Sequence, residues 1–387
     1  MNPTTRAWLE ITRLSNLPTV LSGVVVMSLA SLFLFNGRDY PLSVVGLLIA
    51  ISCFYAGGFI FNDVFDRHID QDERPSRPIP SGRIRTHSAV QVGILLLVVG
   101  LMIIASLDEL FTVATSERGE PNGLIDAVLL IILILVYNRF HAKSAWMVFV
   151  IAACRVLVYT TVALTLIESR ADLFSFLDVQ IASSWYIFLV FPWPLYLIAI
   201  FFYVAAFSYL ARPEAVQQSE DCLFCYKCGF GITDKEVTTC SECGHTFDSK
   251  RLAQSTAPPP GRLQKLCLFA TFLPWGFLCL STLILAVMNQ SMSQRAPNAG
   301  LATTAVLAIM TIFTIAIVVV VGTWFLAAMR RYLYSPGQPG PAILMWLAGI
   351  PLLDGLLAFY LGAPWIALIC LGLFLVTVWG HRRIVGT

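Results

Sequence analysis

Long apolar runs separated by short polar stretches recur along the whole chain. Ten of them, at about 17–35, 42–62, 88–107, 124–138, 144–166, 183–211, 264–288, 301–329, 341–361 and 363–380, are candidates to span a bilayer, since about 20 apolar residues in a helix rise about 30 Å. The fourth run is short, and the eighth is long enough to tilt or to project beyond the hydrocarbon. Before the first run, Pro3–Ser15 mixes Trp8, Leu9 and Ile11 with Arg6 and Arg13 and reads as a short interfacial helix. No fixed-period repeat is present. The pattern predicts an all-α polytopic membrane bundle of about nine to ten helices.

Composition agrees. Of 387 residues, 57% are hydrophobic and only 12% charged, which excludes an ordinary soluble domain. The net charge of +2 carries no information about partners, and no nucleic-acid partner is expected. The distribution of charge is more useful. With the N-terminus inside, the inner segments hold twenty lysines and arginines and the outer loops four (Arg38, Arg118, Arg170 and Arg295). By the positive-inside rule this places the N-terminus, residues 63–87 and residues 212–262 on the cytoplasmic side, most simply of a bacterial-type plasma membrane. The first apolar run is long enough to span and reads as a helix of the mature protein, not as a cleaved leader. Three parts follow: 1–211 and 263–387 as portions of the bundle, and 212–262 as a soluble insertion closed by Pro258-Pro259-Pro260-Gly261.

The apolar run at Val44–Phe61 ends in Asn62-Asp63-Val-Phe-Asp66-Arg-His-Ile-Asp70, followed by Arg74-Pro-Ser-Arg77-Pro-Ile-Pro-Ser-Gly82-Arg-Ile84. On a helix, positions i, i+3 and i+7 fall within roughly 60° of one another, so Asp63, Asp66 and Asp70 share a stripe, and Asn62 and Asp66 share a face. Clustered carboxylates repel unless a cation sits among them. Hard oxygen ligands suit Mg²⁺, which is often bound by one or two carboxylates together with substrate phosphates. Arg74 and Arg77 follow where they can hold the remaining phosphate oxygens. A solvated, salt-bridged helix end is the bland alternative.

Ionisable groups inside the membrane are costly and mark function by default. Arg155 lies about a dozen residues into the fifth run, too deep to snorkel easily, and is expected to face the bundle interior. Asp354, mid-span in the ninth run, is expected to do the same, with no assigned role. Lys143 sits just before the fifth run, where it either neutralises a diphosphate or merely reflects the positive-inside bias. Residues 222–245 carry Cys222-x-x-Cys225-x-x-Cys228-Gly and Cys240-x-x-Cys243-Gly. Two Cys-x-x-Cys-Gly knuckles predict a structural zinc ribbon on Cys225, Cys228, Cys240 and Cys243, with Cys222 a fifth thiol.

The segment from Asn62 to Ile84 resembles the first Asp-rich motif of the UbiA superfamily of intramembrane prenyltransferases. Arg13-Leu-Ser-Asn16-Leu-Pro and Tyr137…Lys143 add to the resemblance, which covers the first half of the chain. It implies a helical bundle around a cavity open to the bilayer. It further implies that Asn62, Asp63, Asp66 and Asp70 hold Mg²⁺ and the diphosphate of an isoprenyl donor, with Asp63, Asp66 and Asp70 serving catalysis. Asn16, Arg74, Arg77, Lys143, Arg155, Arg212 and Glu214 then fall to substrate binding. The second Asp-rich motif of that family is not found. Ala211-Arg212-Pro-Glu214-Ala stands in its place, resembling a branch in which an Ala-Arg-x-Glu segment does so.

Two functions are compatible with these residues. One is transfer of an isoprenyl group to an unknown lipophilic or small acceptor. The other is a non-catalytic relative that binds or moves a polyprenyl lipid and recruits a protein partner through the zinc ribbon. A transporter is disfavoured, because no paired discontinuous helices appear in two halves.

Overall fold

A computed structural model describes residues 2–35, 41–115, 122–166, 193–217, 223–224, 231–232, 262–281, 301–334 and 340–383. Helix α1 (Pro3–Ile11) starts at Asn2, whose side chain accepts from the Thr4 amide at 3.1 Å, the usual way to satisfy an orphan N–H. A single 3₁₀ turn, Leu14–Asn16, leads into α2 (Pro18–Phe35). Then come α3 (Pro41–Glu73), α4 (Thr86–Thr115), α5 (Asn122–Phe140), α6 (Met147–Leu166) and α7 (Trp193–Gln217). After them stand α8 (Arg262–Ala270), continued by a helix over 273–281, and α9 (Leu301–Tyr334), α10 (Gly340–Tyr360) and α11 (Pro364–Arg383).

Among the described residues, 10 helices are long and apolar enough to cross a membrane. The structure is an all-α, multi-pass membrane bundle. Consecutive helices pack as antiparallel pairs, α3 on α4, α5 on α6 and α10 on α11, while α2 joins the two ends of the chain by packing on α3, α6, α10 and α11. Burial separates centre from periphery: α2 and α10 bury 72% and 67% of their spans, but α5, α9 and α11 only 22%. Apolar residues facing lipid gain nothing by being covered, so the outer helices keep Ile94, Met102, Val320 and Leu368 exposed. The α3–α4 pair is tight because Gly57, Gly93 and Gly100 remove side chains from the contact.

α1 closes one end of the bundle. Its Ala7 and Ile11 pack with Ile60, Val64, Ile79 and Ile84, tying α1 to the end of α3 and to the segment after it. That segment, Arg74–Arg85, folds back in turns held by Ser81 N–H to the Arg77 carbonyl (3.0 Å) and Ile84 N–H to the Pro78 carbonyl (3.0 Å). Gly82 supplies the left-handed conformation (φ +73°) that the reversal requires. Arg83 clamps the fold-back to α1 through a two-pronged pair with Glu10, at 2.7 and 3.0 Å.

For the described residues the expected zinc ribbon is overturned. Among the described residues no three Cys, His, Asp or Glu side chains come together to hold a metal, whereas structural zinc needs four converging ligands. Between α7 and α8 the described backbone is one antiparallel pair of two-residue strands, β1 (Leu223–Phe224) and β2 (Gly231–Ile232). Cys225, Cys228, Cys240 and Cys243, like Cys222, lie outside the described residues. Among the described residues the fold class is therefore the helical bundle, and neither Zn²⁺ nor a partner recruited by a ribbon is carried forward.

Candidate active site

A cavity of about 480 Å³ opens among α2, α3, α5, α6, α7 and α10, within the size range of small-molecule sites. Its walls are mostly apolar, with Ile51, Phe54, Leu130, Ile134, Val158 and Phe207 among them. Its polar groups gather where α3 leaves the bundle. Asn62, Asp66, Arg74, Arg77, Asn138 and His141 stand there, with Arg13 and Asn16 from the start of the chain. Four arginines (Arg13, Arg74, Arg77 and Arg155) line the cavity against one aspartate, Asp66.

The other acidic residues of the stretch are turned away. Asp63 and Asp70 are buried, 4% and 2% exposed, and are absent from the lining. Arg77 Nη1 lies 2.7 Å from Asp70 Oδ2 and 3.5 Å from Asp63 Oδ1, and Arg13 Nη2 lies 3.6 Å from Asp63. Helix phase explains the division. Taking Asn62 as zero, about 100° per residue puts Asp66 near 40°, Asp70 near 80° and Asp63 near 100°. The first two face the cavity; the last two face the returning Arg77. Asn62 and Asp66 are thus the hard oxygen donors offered to a ligand, and they fit a Mg²⁺ that keeps waters and takes its remaining oxygens from a phosphate.

Asn62 is held by neighbours on both sides. Its Oδ1 accepts from Arg13 Nη2 at 3.4 Å, and its Nδ2 donates to Asn138 Oδ1 at 3.5 Å. Asn138 in turn donates to the Gly58 carbonyl at 2.8 Å. Arg13 adopts a left-handed backbone (φ 45°), uncommon for a side-chain-bearing residue and typical of functional sites. Its carbonyl accepts from Tyr55 OH at 2.7 Å. Asp66 Oδ2 stands 3.3 Å from His141 Nε2. This contact raises the His141 pKa above its ordinary value, against the opposing effect of burial. The imidazole also stacks on Tyr137, ring centroids 5.3 Å apart.

The remaining sequence-predicted residues divide. Asn16, Arg74, Arg77 and Arg155 line the cavity. Lys143 lies exposed on the turn after α5, outside the lining, and His141 occupies the position at the cavity. Arg212 donates to the carbonyls of His141 (3.2 Å) and Ser144 (3.0 Å) and so fixes that turn. Ala211–Ala215 continues helix α7 without a break, and the Glu214 side chain lies outside the described residues. The idea that Ala-Arg-x-Glu replaces a second Asp-rich motif is therefore withdrawn: its arginine is occupied by backbone carbonyls and lies off the cavity.

Sequence reasoning gave no role to Arg13, Tyr55, Asn138 or His141. Arg13, Asn138 and His141 fall inside the two short segments that add to the resemblance and Tyr55 inside an apolar run, and their convergence depends on tertiary packing. It also missed a buried network. Asp354, fully buried, accepts from Ser22 Oγ (2.6 Å), Tyr159 OH (2.8 Å) and Tyr196 OH (2.7 Å), and faces Arg155 at 3.8 Å.

A family model, the UbiA prenyltransferase family, matches residues 17–221, more than half of the chain. The chain belongs to this family. Among curated relatives, the digeranylgeranylglyceryl phosphate synthase of Sulfurisphaera tokodaii is 33% identical over 98 residues, 25% of this chain and 34% of its own length. That of Sulfolobus acidocaldarius is 36% identical over 141 residues, 36% of this chain and 44% of its own. The chain thus matches less than half the length of these relatives. A solved UbiA homolog from Archaeoglobus fulgidus bound to DMAPP and Mg²⁺ aligns over 92% of this chain and 98% of its own, at 16% identity and a TM-score of 0.45. A UbiA homolog from Aeropyrum pernix K1 aligns over 90% and 96%, at 14% identity and 0.48.

Proposed function

We propose that this family member transfers an isoprenyl group, in a Mg²⁺-dependent reaction, from an isoprenyl diphosphate to a lipophilic or small acceptor inside the cavity. The observation that carries the reading is the charge of the lining: four arginines and one aspartate at the mouth and walls of an otherwise apolar chamber. Such a chamber takes a ligand with a polyanionic head and a hydrocarbon body. Arg74 and Arg77 hold diphosphate oxygens, Arg77 in the forked geometry suited to phosphate. Asn62 and Asp66 would hold the Mg²⁺, with Asp63 and Asp70 acting behind them through Arg77. When bound, the metal neutralises charge developing on the departing diphosphate. The apolar walls accommodate the isoprenyl chain and exclude water that would otherwise capture an allylic cation. The Tyr55 ring, beside Phe59 in the lining, offers a π-face to such a cation, while the Phe59 face is taken by the Arg13 guanidinium, 4.9 Å from its centroid. The charge asymmetry of the loops supports a cytoplasmic position for the Asp-rich mouth.

The purified protein, incubated with Mg²⁺, radiolabelled farnesyl or geranylgeranyl diphosphate and a membrane extract as acceptor source, is expected to release diphosphate and label a lipid. EDTA and Asp66→Ala should each abolish both. Tight donor binding without turnover under these conditions would instead support a non-catalytic lipid-binding relative.

A further inference from the structure

We infer that His381, at the end of helix α11, is a positioning residue for the donor site: it holds the carbonyl end of the Asn16 side chain and so leaves the amide NH₂ to meet the diphosphate. The inference rests on the reading above, in which the mouth takes an isoprenyl diphosphate. His381 Nε2 lies 2.5 Å from Asn16 Oδ1, a contact between residues 365 apart in the sequence. An amide oxygen can only accept, so Nε2 carries the proton and donates.

The rest of Asn16 is already fixed. Its backbone N–H donates to the Arg13 carbonyl at 3.0 Å, and its own carbonyl accepts from Thr19 Oγ1 at 2.7 Å. The residue is 7% exposed and lines the cavity. A carboxamide has an accepting end and a donating end, and a ligand meets whichever end the protein does not hold. With Oδ1 taken by His381, the end left over is Nδ2, which makes no hydrogen bond among the described residues. It shares the lining with Arg13, Arg74 and Arg77, cations that draw a polyanion, and an N–H donor beside them binds the same oxygens. Helix α11 otherwise turns mostly to lipid, burying only 22% of its span. Its end reaches the site because residue 380 is glycine: a Cβ there would fall 3.0 Å from Ser15 Cβ and 3.2 Å from Ser15 Cα. The missing side chain lets α11 lie against the turn that carries Asn16, and the next residue supplies the imidazole. A site side chain locked by such a supporting bond loses less freedom when a ligand arrives.

Binding is measured by calorimetry on the full chain in neutral nanodiscs with Mg²⁺, using farnesyl diphosphate and farnesol as probes. The wild type is expected to prefer the diphosphate. His381→Leu should weaken diphosphate binding about tenfold, the size of one charge-assisted hydrogen bond, and leave farnesol nearly unchanged. His381→Gln, whose amide still donates to Asn16, should recover most of the loss. Asn16→Ala should cost as much as His381→Leu, and combining the two should cost nothing more, because the pair acts as one unit. His381→Glu keeps a bond to Asn16 but can only accept, so it turns the amide round and aims its oxygen at the diphosphate. It should bind the diphosphate more weakly than His381→Leu, with a smaller loss when residue 16 is alanine, and it decides the matter if His381→Leu does not fold. Diphosphate binding retained in His381→Leu or His381→Glu, equal losses of diphosphate and farnesol, or losses that add in the double variant would each overturn the proposal. A wild type that binds both probes alike would remove the donor reading and this inference with it. A wild-type preference that His381→Leu leaves intact would remove the positioning role alone.

Discussion

Arg77 Nη1 lies 2.7 Å from Asp70 Oδ2, and the chain reaches that contact by leaving α3 at Glu73 and turning straight back. The same nitrogen is 3.5 Å from Asp63. A single guanidinium thus neutralises two buried carboxylates while its other face borders the cavity. In the proposed reading Asp63 and Asp70 act on the diphosphate through this arginine and not through direct contact.

Arg77→Gln removes that compensation. It leaves Asp63 and Asp70 buried, with Arg13 still close to Asp63, and breaking such a partly buried pair costs about 3 kcal/mol. The melting temperature should fall, and added Mg²⁺ should recover part of the loss in the variant and less in the wild type, because only the variant exposes uncompensated carboxylates. Thermal melts with and without Mg²⁺ check this. Donor affinity should also drop, by about tenfold for a lost charge-assisted contact.

His141 and Asp66 make the metal site sensitive to pH. The contact with Asp66 raises the imidazole pKa, so the cationic form persists to a higher pH than in a free histidine. Its stabilising pair with Asp66 is fully present below the ordinary histidine pKa, about 6.5, and is lost as pH rises through the raised value. Mg²⁺ competes with the imidazolium for the same carboxylate. Metal affinity, followed by titration at a series of pH values, should therefore strengthen as pH rises through that window. His141→Phe should flatten the dependence, and a dependence unchanged in the variant would exclude the histidine as its origin.

Much of the bundle could be read in the hydrophobic pattern, because lipid forces each span to show itself as an apolar run whatever it packs against. The Asp-rich stretch was equally legible, since its residues are close in sequence. The choice between Asp66 and Asp70 as cavity-facing was not: they lie only about 40° apart on the helix, and the return of Arg77 decides which side each serves. Asp354 and Arg155 were both visible as intramembrane charges. Their meeting, across a gap of about two hundred residues and with Ser22 from a third helix, leaves no local trace. The two cysteine knuckles lie outside the described residues, and no metal cluster forms among those that are described.

Gly100 is a test of how closely α3 and α4 must approach. A Cβ there would fall 2.6 Å from a Phe54 ring carbon and 2.9 Å from the Ala50 carbonyl oxygen. The ring could swing aside, but the backbone oxygen cannot without separating the helices. Gly100→Val should destabilise the protein by about 1–3 kcal/mol, the usual cost of overpacking, and should weaken donor binding through displacement of α3. Gly372, where a Cβ would meet nothing within 4 Å, is the control: Gly372→Val on the lipid-facing helix α11 should leave both measurements near wild type.

Asp354 anchors three helices at one point, accepting from Ser22 on α2, Tyr159 on α6 and, at 2.7 Å, Tyr196 on α7. Replacing it with alanine leaves the Tyr159 and Tyr196 hydroxyls without an acceptor, Ser22 keeping the Thr19 carbonyl at 3.0 Å, and Arg155 without a nearby negative charge, and each buried orphan is expensive. The expected loss is about 3–5 kcal/mol, as for a broken buried ion pair. Asp354→Asn keeps a carbonyl for one or two of the hydroxyls and should recover roughly half of that loss. The two variants also separate packing from charge. If the network serves only to hold the helices, stability and ligand binding should rise together from alanine to asparagine. If Asp354 also moderates the charge of Arg155, the asparagine variant should bind farnesyl diphosphate more tightly than the wild type while remaining the less stable protein. Paired melting curves and binding isotherms on the same preparations distinguish these outcomes.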